Sequence, residues 1–151
     1  MQYIQEAKEG QGGDGCIFCA IPEKEPERVL VRDELAYVVL NKFPYNPGHL
    51  LVVPLRHVGD LEDTTSQENA DLQALLQRSI RALRRTAAPD GFNIGLNLGR
   101  TAGAGIPEHL HWHIVPRWSG DTNFMPVVGD TRVLPELLVE TYRRLKPGFE
   151  V

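Results

Sequence analysis

His109-Leu110-His111-Trp112-His113-Ile114-Val115 is the stretch on which the reading of this chain turns. Polar and apolar residues alternate through it, as on a β-strand whose two faces meet different surroundings. Successive strand side chains point to opposite faces, which sends His109, His111, His113 and Val115 one way and Leu110, Trp112 and Ile114 the other. The loop Gly99-Arg100-Thr101-Ala102-Gly103-Ala104-Gly105 leads into this strand. Imidazoles beside backbone amides freed by glycines suit a phosphate or a metal. The plainest reading is three exposed histidines on a solvated sheet face. A second is a catalytic zinc with an activated water, although Glu108 points away from His109 and supplies no ligand or base. The third is attack of an imidazole on phosphorus, with its neighbour on the phosphate oxygens. Alternate strand residues lie about 6.5–7 Å apart at Cα, so adjacent imidazoles can bracket one phosphate.

Upstream, Val29-Leu30-Val31 and Leu35-Ala36-Tyr37-Val38-Val39-Leu40 read as two strands joined by the turn Arg32-Asp33-Glu34. Leu50-Leu51-Val52-Val53 is a third, set between the Pro47-Gly48 turn and Pro54. Thr65 to Glu68 has the spacing of a capping box, and Leu72, Leu75, Leu76, Ile80 and Leu83 then form one helical stripe. Arg78, Arg81, Arg84 and Arg85 crowd the end of that helix, where carbonyl dipoles favour cations, and read as a solvated face. Beyond Pro89-Asp90-Gly91, the alternation of Phe92, Ile94, Leu96 and Leu98 with Asn93, Gly95 and Asn97 reads as a half-buried strand. Pro135 opens a last helical stretch carrying Leu137, Leu138, Tyr142 and Leu145. This order predicts an α+β fold: an antiparallel sheet of about five strands, with a long helix and a C-terminal helix packed on one side.

The 151 residues are 42% hydrophobic and 24% charged. A chain of that length forms one domain that buries about two-thirds of its unfolded surface. With 16 basic and 20 acidic side chains the net charge is −4, which gives no electrostatic reason to expect nucleic acid or a membrane surface. No apolar run approaches the roughly 18–20 residues of a membrane span. The start, Met1-Gln2-Tyr3-Ile4, lacks a basic region followed by an apolar core. A soluble cytoplasmic domain over residues 16–151 is expected, behind a flexible, Gly-rich tail over residues 1–15. The cysteines, Cys16 and Cys19, form Cys-Ile-Phe-Cys. Inert thiols, a redox pair and half of a zinc site are all open readings of that motif.

The triad stretch resembles the His-x-His-x-His-apolar-apolar signature of the histidine triad (HIT) family of nucleotide hydrolases and transferases. The resemblance extends from about Cys16 to Arg117. It includes Cys16-Ile17-Phe18-Cys19, Asn41, Pro47-Gly48-His49-Leu50-Leu51-Val52-Val53-Pro54, Arg56-His57 and Asn97-Leu98-Gly99-Arg100. Pro116-Arg117-Trp118-Ser119-Gly120-Asp121-Thr122-Asn123-Phe124 looks like the bacterial diadenosine tetraphosphate phosphorylase-like branch.

The resemblance implies a HIT fold and cleavage of an adenine dinucleotide through a nucleotidyl-histidine. His111 would be the nucleophile, His113 a donor to the phosphate, and His49 a support from the neighbouring strand. Asn41 matches the ribose-binding position. Ile17, Phe18 and Ile21 match the base-pocket wall, with ordinary core residues an equal reading of those three. Asn97, Gly103 and Gly105 match the phosphate-contacting segment. Zinc-bearing relatives complete the cysteine pair with two histidines, here His57 and His109, which implies structural zinc. Family members pair as homodimers. Relatives that hydrolyse carry Gln followed by Ser or Thr ahead of the triad, whereas this chain has Gly105-Ile106. Ile106 has no proton to give, which leaves transfer to inorganic phosphate open.

Overall fold

A computed structural model describes residues 15–121 and 137–150. The N-terminal tail, Thr122-Asn123-Phe124 and Pro135 lie outside those residues. In chain order the elements are helix α1 (Ile17–Lys24), strands β1 (Val29–Arg32), β2 (Ala36–Leu40) and β3 (Leu50–Pro54), helix α2 (Ser66–Thr86), strands β4 (Gly91–Gly95) and β5 (Trp112–Arg117), and helix α3 (Leu138–Leu145). The five strands form one sheet in the order β1-β2-β3-β5-β4, antiparallel at every pairing.

The unbroken apolar runs of β2 and β3 follow from burial on both faces. Val38, Leu40, Leu50 and Val52 pack with Leu72, Leu75, Leu76 and Leu83 of α2 and with Leu145. Tyr37, Val39, Leu51 and Val53 pack the other way, against Cys16, Phe18, Ile21 and Ile106. The expectation of helices on one side alone is therefore corrected: α1 covers the second face. Pro22 inside α1 hides that helix from a pattern reading. Proline cannot donate to the carbonyl four residues back, and that carbonyl, of Phe18, accepts the Tyr37 hydroxyl at 2.6 Å instead.

α2 begins as its spacing predicts, with the Thr65 side chain accepting from the Glu68 amide at 3.1 Å. Both Glu68 carboxylate oxygens face Arg56. The basic run at its end is more than a solvated face. Arg78 and Arg85 donate to the carbonyls of Phe149 and Gly148, tying the C-terminal turn to the helix. The fourth strand ends at Gly95, short of Leu98, and with β1 it is one of the two sheet edges among the described residues. Phe92 and Leu96 pack partly buried against the core, while Ile94 and Leu98 stand 43% and 41% exposed.

Candidate functional site

β5 also starts later than its sequence pattern, at Trp112. Continuing its register with β3 would set Leu110 opposite Pro54, which has no amide to give the ladder. Leu110 donates instead to Val58 O at 2.7 Å. The alternation of faces persists through the irregular segment: Leu110 and Ile114 enter the core beneath α2, while His111 and His113 line the opposite face.

His109 leaves the triad for a different cluster. Its Nδ1 lies 3.3 Å from Cys16 Sγ and 3.5 Å from Cys19 Sγ, and Cys19 Sγ lies 3.5 Å from His57 Nδ1. The ligand atoms of all four residues fall within 4.8 Å of one another. Tetrahedral zinc with bonds of about 2.3 Å to sulfur and 2.0–2.1 Å to nitrogen separates such ligands by about 3.5–3.6 Å, which these contacts match. Both cysteines are free thiols. His109 Nε2 lies 2.8 Å from the carbonyl of Pro54. A carbonyl only accepts, so Nε2 carries the proton and Nδ1 offers its lone pair to the cluster. Without a cation, burial and then the neighbouring Cys16 push the Cys19 thiol up to about 11, a cost that a bound divalent ion reverses. Cys16, Cys19, His57 and His109 form a structural zinc site. Gly59 is pressed against the backbone ahead of it: a β-carbon there would meet Pro107 O at 2.7 Å.

The remaining histidines differ in tautomer. His111 Nδ1 lies 2.8 Å from the carbonyl of His109 and so must donate to it. Its Nε2 is left with a lone pair. The amide of Tyr45 donates to His49 Nδ1 at 3.1 Å, which puts the His49 proton on Nε2. That proton bridges 2.9 Å to His113 Nδ1, so His113 carries its own proton on Nε2. The rings of His111 and His113 stand 5.1 Å apart at 62°. One therefore presents a lone pair and its neighbour an N–H. Burial holds all of them neutral, pushing His49 down to about 3 and His113 to about 4, and lowering His111 as well. For His49, the nearby His113 and His111 add to that effect.

A cavity of about 290 Å³ opens in front of His111 and His113, lined also by Phe18, Asn41, Asn97, Gly103, Gly105 and Ile106. The Phe18 ring lies 4.7 Å from that of His111. Ile17 and Ile21 are not among the lining residues; Ile21 is buried in the core with Phe18, and Ile17 packs partly buried against it. Asn41 gives its Oδ1 to the amide of Phe43 at 3.0 Å and lays its Nδ2 against the His49 ring. His49 is buried, with its Nε2 2.9 Å from His113 Nδ1. In the loop, the amides of Gly103 and Ala104 close the turn onto Arg100 O and Gly99 O. That corrects the expectation of freed amides over 103–105: Gly105 is the one of the three that closes no turn bond among the described residues.

Sequence reasoning missed Tyr45, which is 74% exposed and stacks at 14° on His113 with centroids 6.3 Å apart. It also missed a second cavity of about 550 Å³, which shares Tyr45, Asn97 and His113 with the first. A tyrosine in the loop between β2 and β3 reads as ordinary surface, and a cavity built from four separate segments leaves no local pattern.

Residues 23–120 match the HIT domain family. The chain is 52% identical over 130 residues to the AP-4-A phosphorylase of Mycobacterium tuberculosis (strain ATCC 25618 / H37Rv), covering 85% of this chain and 67% of that protein. It is 38% identical over 107 residues to the uncharacterized HIT-like protein Rv1262c of the same organism, covering 70% and 74%. A Zn-bound histidine triad family protein from Mycobacterium smegmatis superposes with a TM-score of 0.75 at 35% identity, covering 91% of this chain and 95% of that one. With its triad, its cysteine–histidine cluster and its five-stranded antiparallel sheet, the chain belongs to the HIT family.

Proposed function

We propose that the chain cleaves diadenosine polyphosphates by transferring a nucleotidyl group through His111 to inorganic phosphate. The opposite tautomers of His111 and His113 carry this reading. A nucleophile needs a lone pair and an oxyanion needs a donor, and the two adjacent rings supply one each. The Nε2 of His111 attacks the α-phosphorus, and the bond from phosphorus to the bridging oxygen breaks. Diadenosine tetraphosphate then releases ATP and leaves AMP joined to His111. An oxygen of inorganic phosphate attacks the same phosphorus, the P–N bond breaks, and ADP departs. His113, Asn97 and Gly105 line the cavity together, which supports them as the groups that hold the phosphates. Phe18 walls the base, and Asn41 stands at the ribose.

The identity to a protein named AP-4-A phosphorylase supports this substrate class. Ile106, buried in the cavity lining, brings no hydroxyl to the leaving group, in keeping with phosphate as acceptor. A catalytic zinc on the triad is disfavoured, because His109 turns away to the cysteines. Exposed Ile94 on the edge strand favours a homodimer joined across β4. Diadenosine tetraphosphate supplied with phosphate should yield ADP and ATP. AMP and ATP in undiminished yield would make the chain a hydrolase and refute the acceptor.

A further inference from the structure

The two cavities meet at His113, but only the smaller one reaches His111. The nucleoside whose α-phosphorus is attacked therefore belongs in the smaller. The larger lies along β4 and the end of β5, where Gly95, Asn93 and Gly91 pair directly with His113, Val115 and Arg117. Directly paired residues share a sheet face, so Asn93 and Arg117 stand on the same face as the catalytic imidazole.

Its chemistry is polar and without net charge. Arg117 grips both Asp121 carboxylate oxygens, at 2.7 and 2.8 Å, and reaches Asn93 Oδ1 at 2.8 Å. Asn46 Nδ2 donates to the same carboxylate at 2.8 Å. The guanidinium is thus already neutralised, and a phosphate entering here would face a carboxylate as much as an arginine. Amides with an apolar floor at Val115 and Leu96 suit a neutral, flat, hydrogen-bonding group. At about 550 Å³ the cavity falls in the size range of small-molecule sites.

We propose that this second cavity is the subsite for the departing nucleoside of a dinucleoside polyphosphate, with its polyphosphate crossing between the two cavities at His113. This rests on the nucleotidyl-transfer reading above. The subsite would distinguish two-headed substrates from nucleotides with a single nucleoside.

Gly95 offers a direct test. A β-carbon there would meet no atom within 4 Å, and its backbone is outside the left-handed region. Gly95→Leu would therefore fill the cavity from its strand floor, and Asn93→Leu would remove an amide and add apolar bulk. Binding is measured by calorimetry with AMP and with a methylene-bridged, uncleavable diadenosine tetraphosphate. Both variants should bind the dinucleotide at least ten-fold more weakly and AMP within two-fold of the parent. Unchanged dinucleotide affinity in both variants would overturn the subsite, as would equal losses for both ligands. Because neither ligand turns over, the result stands apart from the reaction. A parent that binds both ligands yet cleaves no diadenosine tetraphosphate would instead refute the transfer reading.

Discussion

The carbonyl oxygen of His109 accepts the Nδ1 proton of His111 at 2.8 Å, while the imidazole of the same His109 stands in the zinc cluster. One residue thus faces the zinc cluster with its side chain and His111 with its backbone. Phe18 repeats the link, its ring lying 5.6 Å from His109 and 4.7 Å from His111.

Loss of zinc should therefore reach the nucleotide site. A metal held at a hundredfold its Kd contributes about 2.7 kcal/mol to stability, or about 5–11 °C in Tm for a chain of this size. Cys19→Ser should bind less than one zinc per chain, melt lower by about that amount, and bind AMP more weakly. A zinc-free Cys19→Ser protein with parental Tm and AMP affinity would disprove the coupling.

Each histidine should show a distinct kinetic loss. His111→Ala should lose turnover by several orders of magnitude while keeping AMP affinity, since it removes the bond-forming atom. His113→Ala should lose about 10²–10³-fold, as for one oxyanion donor. His49 Nε2 bonds to His113 Nδ1, and if its role runs through that bond the double variant His49→Ala/His113→Ala should be little worse than His113→Ala alone. Additive losses in kcat would show an independent role for His49.

Stability should fall on acidification. His49 and His113 take protons near 6.5 in the unfolded chain but only near about 3 and about 4 when folded, chiefly through burial, with His111 as the titratable neighbour of both. Between those values the unfolded chain binds more protons, so unfolding free energy rises with pH. The stability present above pH 6.5 is lost as pH falls from there toward 4. Zinc-saturated protein should melt several degrees lower at pH 5 than at pH 7, and His49→Gln should flatten that dependence. Equal slopes for the two proteins would refute it.

The edge strand predicts an assembly phenotype. Ile94→Lys places a charge on exposed β4, where pairing with a second copy would bury it. Sedimentation should show a dimer for the parent and a shift toward monomer for the variant. A monomeric parent at micromolar concentration would remove the dimer reading.

Local pattern carried much of this structure. The Leu72–Leu83 stripe, the Thr65 cap and the central strands fall where periodicity puts them, because burial imposes it. Placement of Cys16, Cys19, His57 and His109 in one cluster came from resemblance, since no spacing rule joins residues 93 apart. Other features depend on what a residue meets across space. Pro54 delays β5, Pro22 masks α1, and Tyr45 reaches His49 and His113 only through the fold. Ile94 and Leu98 alternate correctly yet remain about two-fifths exposed, because alternation reports a face and not how much packs on it.

Gly59 makes this coupling visible to saturation mutagenesis. Its backbone is outside the left-handed region, so what bars a side chain is the facing backbone: Pro107 O at 2.7 Å, with the Glu108 carbonyl carbon and Cα at 3.2 and 3.3 Å. Alanine is already too large, and asparagine gains no exemption. Gly99 is the opposite case, with φ +79° and open space around it, where asparagine or aspartate should pass and valine should not. A position that touches neither metal nor nucleotide would then tolerate less variation than the loop beside the active site.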